Sequence, residues 1–474
     1  MLLVRSVTCP GRRRLAAGNG SKASTSALYV YVIDSEMRPS DDAAGRLRHG
    51  FAFGMQRAGY AGTSCVNESI QPSGHPPYDL RLEPIPPSPC SYLAIPCRQT
   101  VPVVGSMNVL HLTLSYSNGG RREAIAALAQ GLRELGVGSH LGCLDEFGSG
   151  PAERAVFDGS FSLERKGMFD LVALRRLAAY CREHAVDVVH AHDAASEAMA
   201  ALAMPWRGPA LLMTFHRTRN IETARLRNRV RNALAGMRVS AVVTASQERR
   251  QHYIDQNYVG AGKVSCIPLG IDLERFRPDP VMRERTRRLA GADEGTLLLG
   301  TVGHFGADKG VDLAIGAFQA FLRRNPGRDA RLLVLGRGDA AQESEVRSLV
   351  APEFAARIGF VGFQTDPERW FPGFDVLLHG ARREAFGLVL AEAQACGVPV
   401  VAARVGGISE VVLDRVTGCL APAATVDGLA AALEELVADD DRRHAFARRA
   451  IEHARHQFSQ RRYAQDYLQT YLRL

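Results

Sequence analysis

No run of eighteen apolar residues occurs anywhere in the 474-residue chain, so the sequence offers no transmembrane helix. Its nine cysteines, at positions 9, 65, 90, 97, 143, 181, 266, 396 and 419, form no C-x2-C pair and no close cluster with histidine. A zinc site is therefore not expected, and thiols scattered among apolar neighbours read as buried cysteines of a reducing compartment. No period of 20–50 residues recurs, which excludes a solenoid. No Asp-x-Asp loop is placed to hold Mg²⁺; Asp439–Asp441 falls in a helical tail and reads as solvated charge. Basic charge is also less general than the net +8 suggests. Residues 1–106 hold eleven Lys/Arg against seven Asp/Glu, residues 216–250 hold nine Arg against two Glu, and the rest is slightly acidic. Such local basicity argues against a general nucleic-acid surface. What is present is ordinary globular material: 46% hydrophobic residues, and length enough for two or three domains.

The first hundred residues differ from the rest. Eleven of the 23 prolines precede Met107, and the stretch shows no sustained periodicity beyond Ala27–Ile33. Residues 1–106 are expected to be a disordered extension, or the product of a start codon assigned too far upstream. A targeting peptide competes, since residues 1–33 lack Asp and Glu, but no apolar core of the needed length follows the early arginines.

From Met107 the pattern becomes β-α alternation. Apolar runs predict strands over Val109–Leu114, Val186–Val189, Ala210–Thr214, Ala241–Ala245, Leu297–Val302, Arg331–Leu335, Phe374–Leu378 and Pro399–Ala403. Continuous apolar strands separated by helical stretches predict parallel, doubly wound sheets. The Pro- and Gly-containing stretch Pro268–Pro280 reads as the linker between two such domains.

The chemistry concentrates in Glu384–Glu392 (EAFGLVLAE). Glu384 falls in the loop after a strand, Gly387 and Leu388 open a helix, and Glu392 lies about one turn inside it. A helix opening has unpaired N–H groups and a positive dipole end, which suit phosphate. A carboxylate in front of it suits sugar hydroxyls. The set reads as a nucleotide-sugar site: Glu384 for the sugar, amides near Phe386, Gly387 and Leu388 for phosphates, Glu392 for the ribose. The plainer alternative is a surface helix with two ordinary acids.

This stretch resembles the E-x7-E signature of the retaining family-4 glycosyltransferases, and three flanking segments strengthen the likeness. Gly300–Gly310 (GTVGHFGADKG) resembles the family's VGR…KG segment, in which an Arg and a Lys neutralise the departing diphosphate; Lys309 matches, but His304 follows Gly303 where Arg is usual. Imidazole is largely neutral at pH 7, so one fixed charge is missing. Cys266–Phe276 (CIPLGIDLERF) resembles the inter-domain PNGVD…F segment, with Leu269 for Asn, and Val405–Glu410 followed by Thr417 and Gly418 resembles the GGxxE…G-x-TG loop. The resemblance runs from about Met107 to Leu474. It implies the GT-B fold, α/β with two Rossmann-like domains facing across a cleft. Residues 107–275 would form an acceptor-side domain, 276–457 a nucleotide-sugar domain, and 458–474 a helix returning to the first.

In the first domain, His216 ends a strand, where open α/β sheets place ligands, and the resemblance gives it the family's active-site role. The plainer reading is a capping or core histidine. His192 is a second choice and His190 reads as structural; their H-x-H spacing has no third ligand in sequence. Gly119 and Gly120 open a helix and either approach the diphosphate or make a plain turn. Gly336–Gly338 reads as cleft lining. Arg217, Arg219, Arg225, Arg227, Arg229 and Arg231 crowd the segment after His216, flanking the apolar positions Leu226, Val230, Leu234 and Met237. They suit anionic lipid or acceptor phosphates.

The resemblance implies a retaining, metal-independent hexosyltransferase of polysaccharide or lipopolysaccharide biosynthesis. It would need no cofactor, take a nucleotide-sugar donor and a lipid-linked or glycan hydroxyl, and work in the cytoplasm or on the membrane's inner face. His216, Lys309 and Glu384 would be catalytic. A nucleotide-sugar epimerase and a silent sugar-binding protein are the rival readings.

Overall fold

The computed structural model describes residues 107–474 apart from 118, 149, 151, 168, 217–235 and 257–258, together with residues 53–54 and 65–66. The last two pairs form an antiparallel contact of their own, β1 (Phe53–Gly54) with β2 (Cys65–Val66), within a unit that ends at Cys97.

The main unit holds two parallel sheets. The first has seven strands: β3 (Asn108–Thr113), β4 (Gly138–Cys143), β5 (Gly159–Ser162), β6 (Val188–Ala191), β7 (Ala210–Phe215), β8 (Ala241–Thr244) and β9 (Val264–Cys266), in the order β5-β4-β3-β6-β7-β8-β9. The second has six: β10 (Leu297–Val302), β11 (Ala330–Leu335), β12 (Ile358–Gly362), β13 (Val376–His379), β14 (Val400–Ala403) and β15 (Gly418–Ala421), in the order β12-β11-β10-β13-β14-β15. Each order reverses once, between β3 and β6 and between β10 and β13. A crevice opens beyond the carboxyl ends of the strands at such a reversal. The loops after β3, β10 and β13 are thus the ones positioned to meet a ligand.

This is the expected fold class, with more strands than apolar runs revealed. The strands β4, β5, β9, β12 and β15 escape that reading because each carries Gly, Ser, His or Cys among its apolar residues. In β4 the small residue has a steric cause: a Cβ on Gly142 would lie 2.9 Å from side-chain atoms of both Leu112 and Phe161. β13 extends one residue beyond the expected end, to His379.

The chain folds back on itself at its end. Ile271, between the sheets, bridges Ser459, with its N–H donating to the Phe458 carbonyl (2.7 Å) and its carbonyl accepting from the Gln460 N–H (3.1 Å). The helix Gln460–Tyr471 then packs on the helix Gly120–Glu134 so closely that a Cβ on Gly131 would meet Ala464. Its Tyr467 and Tyr471 hydroxyls reach Thr214 (2.7 Å) and His190 (2.8 Å) of the first sheet. Cys143, Cys181, Cys266, Cys396 and Cys419 are free thiols, all but Cys266 buried. Among the described residues no helix is long and apolar enough to cross a membrane.

Candidate active site

After β10 the chain turns through Gly303, His304 and Lys309 before the helix Val311–Arg324; after β13 it runs from His379 to Glu384 before the helix Leu388–Ala395. Gly387 caps that second helix at φ 98°, a left-handed conformation that a side chain would strain. Two contacts fix the backbone of the Glu384 loop. Gly407 N–H donates to the Glu384 carbonyl (3.1 Å), and a Cβ on Gly406 would lie 1.9 Å from that same oxygen. From the first sheet, the Ser246 hydroxyl donates to the Ala385 carbonyl (2.8 Å). Glu410 reaches back across, accepting the N–H groups of Gln247 (2.8 Å) and Glu248 (3.0 Å) at the start of the helix Gln247–Gln256. The site is therefore held by both halves of the unit.

These loops line a cavity of about 530 Å³. Gly119, Gly120, Arg122 and Glu123 wall it on the side of the first sheet, and Arg275 and Phe276 come from the connecting segment. The second sheet supplies Gly303, His304, Lys309, Gly336, Arg337, His379 and Glu384, with Leu388, Val389 and Glu392 from the first turns of the helix after Gly387. Phe363, Gln364, Thr365 and Pro367 also line it, with the Arg337 guanidinium 4.4 Å over the Phe363 ring.

The two motif carboxylates occupy opposite electrostatic environments. Burial alone would raise the Glu384 carboxyl, but His379 and Lys309 beside it hold it down at about 2. The Lys309 ammonium donates to Glu384 Oε2 at 2.7 Å, while His379 Nε2 stands 3.7 Å from that oxygen. Glu384 is thus an ionised acceptor at neutral pH. Glu392 is pushed up to about 8, first by burial and then by the Glu123 and Glu368 carboxylates, against the pull of Arg275. Without a ligand it is largely a neutral acid at pH 7. Arg275 itself bridges Glu368 (2.8 Å) and Glu123 (3.5 Å), linking the two sides of the cleft. His304 Nε2 lies 3.2 Å from Asp308 Oδ1.

On the first sheet, histidines run in series. His111 Nδ1 is 3.1 Å from His192 Nε2, and His192 Nδ1 is 3.1 Å from His216 Nε2. Burial, reinforced by Arg121 and opposed by Asp193, lowers His216 to about 3, so its imidazole is neutral. The third histidine that sequence spacing did not reveal beside His190 and His192 is His111, brought alongside by the pairing of β3 with β6. Yet both ring nitrogens of His190 bond hydroxyls, of Tyr471 and Thr214, and both of His192 bond imidazoles. A cation at this cluster would have to displace those bonds.

Gly119, Gly120, Gly303, His304, Lys309, Glu384, Leu388 and Glu392 therefore line one cavity, although they come from three separate stretches of chain. Three expected residues do not. The Phe386 ring packs edge-on against Phe458 in the core, 5.6 Å between centroids, because the returning tail supplies an apolar partner. Gly387 acts behind the wall as the cap of the helix. His216 lies off the cavity, against His192. Arg217, Arg219, Arg225, Arg227, Arg229 and Arg231 lie outside the described residues. Arg122, Glu123, Arg275 and His379 went unread as site residues. His379 ends a strand just as His216 follows one, so the same position rule would have singled it out.

Comparison with known proteins adds to this geometry. Residues 118–275 match the family model described as Glycosyltransferase Family 4, and residues 296–439 match Glycosyl transferases group 1. D-inositol 3-phosphate glycosyltransferase of Kribbella flavida is 30% identical over 374 residues, covering 74% of this chain and 86% of that protein. The protein of the same description from Nocardia farcinica is 30% identical over 341 residues, covering 67% and 74%. Among solved structures, Anabaena Alr3699/HepE in complex with UDP and glucose superposes with a TM-score of 0.67 at 22% identity, over 78% of this chain and all of that one (100%). WaaG, described as a glycosyltransferase involved in lipopolysaccharide biosynthesis, gives a TM-score of 0.58 at 21% identity, over 74% and 95%. At those identities the structural likeness speaks to the fold.

Proposed function

Because this chain belongs to glycosyltransferase family 4 and carries that family's GT-B architecture, we propose that it moves a sugar from a nucleotide-diphosphate sugar to an acceptor hydroxyl, with retention and without a metal ion. The observation that carries this reading is one cavity wall holding Lys309, Glu384, Glu392 and the open start of the helix Leu388–Ala395.

The wall supplies what the chemistry needs. A nucleotide diphosphate is already a good leaving group, so the main task is to stabilise the charge that grows on it. Lys309 and the amides of the helix start answer that charge. Glu384, ionised and held between Lys309 and His379, accepts hydrogen bonds from sugar hydroxyls. Glu392, one turn into the helix, serves the ribose.

For the acceptor, the motif resemblance favours a lipid-linked or glycan hydroxyl presented from the first-sheet side, at the inner face of the cytoplasmic membrane. The Kribbella flavida relative favours a second reading, a small phosphorylated polyol, which Arg121 and Arg122 near the cleft would suit.

Incubation with a panel of UDP-, GDP- and ADP-sugars, with nucleotide release as readout, tests the proposal. Transfer releases nucleotide when an acceptor is supplied; an epimerase returns an isomer of the donor, and a binding protein returns the donor unchanged. Turnover that survives EDTA and a product with the donor's anomeric configuration would support the finer claims. Loss of turnover in EDTA, or an inverted product, would remove them.

A further inference from the structure

We infer that His379 is a positioning residue of the donor site: its Nε2 takes over the Glu384 carboxylate when the donor's diphosphate draws Lys309 away. The inference rests on the nucleotide-sugar reading of the cavity.

The starting point is an unpaired ring nitrogen. His379 is 2% exposed and sits at the carboxyl end of β13, a strand flanked on both sides by β10 and β14. Its Nε2 is buried and makes no hydrogen bond, although the residue lines the cavity. A buried ring nitrogen left unpaired costs free energy unless something completes it. The nearest acceptor is Glu384 Oε2 at 3.7 Å, and a movement of roughly 0.7 Å would bring the two within hydrogen-bonding distance.

Without ligand, Lys309 donates to the same oxygen at 2.7 Å and His379 acts on the carboxylate only from 3.7 Å. Arrival of a diphosphate changes the competition. The ammonium is the cation of this loop that faces the cavity with no counter-charge other than Glu384, since His304 stands where the motif normally carries Arg. A diphosphate presents more negative charge than one carboxylate and pulls Lys309 toward itself. Glu384 would then be a buried carboxylate losing its main partner while it must hold the sugar. His379, rigid in the sheet and already aimed at it, keeps it ionised and in place.

The test compares His379→Leu, His379→Asn and His379→Gln with wild type in the full chain. Leucine keeps the bulk without a donor. Glutamine places an amide N–H near the position of Nε2, whereas asparagine falls short of it. Binding of UDP-glucose, GDP-mannose and ADP-glucose is measured beside that of UDP, GDP and ADP alone, together with kcat and KM for any donor that is turned over. His379→Leu and His379→Asn should lower donor affinity and kcat by about tenfold or more, with nucleotide affinity within about twofold, and His379→Gln should recover most of the loss. A merely structural histidine would weaken nucleotide and donor together and would not be rescued by glutamine. If His379→Leu fails to fold, His379→Asn against His379→Gln decides. Unchanged donor binding and kcat in the leucine or asparagine variant, or glutamine as damaging as asparagine, overturns the inference. Wild type that binds none of the three donors overturns the nucleotide-sugar reading itself, and the role of His379 falls with it.

Discussion

The Lys309 ammonium lies 2.7 Å from Glu384 Oε2, with the lysine 23% and the carboxylate 10% exposed. So enclosed a pair is weak evidence of net stabilisation, but removing one partner leaves a charge that water reaches poorly, at a cost of about 3–5 kcal/mol. Lys309→Ala is therefore expected to abolish measurable nucleotide release and to lower thermal stability as well. The Glu384 carboxyl is held below its ordinary 4.5, at about 2, so its contribution to stability is present above about 4.5 and lost as pH falls toward 2. Acid titration of Lys309→Ala, followed by circular dichroism, should show unfolding beginning at a higher pH than in wild type. Wild-type turnover in this variant would remove the leaving-group role of Lys309.

Glu392 behaves in the opposite sense. Its folded-state carboxyl stands at about 8 against an ordinary 4.5, so the stability it confers is complete below about 4.5 and is lost as pH rises through about 8. Glutamine is isosteric with the neutral acid and cannot ionise. Glu392→Gln should match wild-type Tm near pH 4.5 and exceed it by a few degrees at pH about 8.5. Nucleotide affinity at neutral pH should fall by less than about 1.5 kcal/mol, because no charge-assisted bond is removed. A Tm difference independent of pH would show that folding does not raise the Glu392 carboxyl.

His304 is the position at which this chain departs from the motif it otherwise resembles. It is 56% exposed, lines the cavity, and has Asp308 3.2 Å away. Arginine at this position would find the same carboxylate for anchorage and add a permanent charge facing the diphosphate. His304→Arg is expected to preserve or raise kcat, measured with the donor that wild type uses. A variant that binds donor but no longer turns it over would give the imidazole a role of its own.

The doubly wound class was legible because buried parallel strands are apolar runs, and Leu297–Val302 is read to the residue. The motif order brought Lys309, Glu384 and Glu392 together on paper. What could not be read is anything requiring two distant segments to meet. Phe386, between a carboxylate and a glycine, looks locally like cleft; only the tail residue Phe458 makes it core. Glu392 is an ordinary acid in sequence and becomes a neutral one because Glu123 and Glu368 arrive from elsewhere. Arg415 adopts φ 57°, at the position where the G-x-TG pattern carries glycine, and no local rule assigns that conformation to arginine.

The arginine-rich segment after His216 carries the last prediction. The sequence set Met237 on an apolar stripe that would ordinarily pack on a sheet, but Met237 is 61% exposed. Nearby, Trp206 is 75% exposed, with the Arg238 guanidinium 4.8 Å over its ring. Exposed aromatic and aliphatic groups beside Arg238, in a segment rich in arginine, suit the interface of an anionic bilayer, where each cation contributes about 1 kcal/mol. The protein is expected to co-sediment with phosphatidylserine-containing vesicles at low salt and to release as salt rises. Changing Arg225, Arg227, Arg229 and Arg231 to Gln should abolish the binding while leaving donor binding intact. The chain has two tryptophans, and Trp370 is buried, so a blue shift of emission on adding vesicles would report Trp206. Neither co-sedimentation nor a shift at low salt would remove the membrane reading of these arginines.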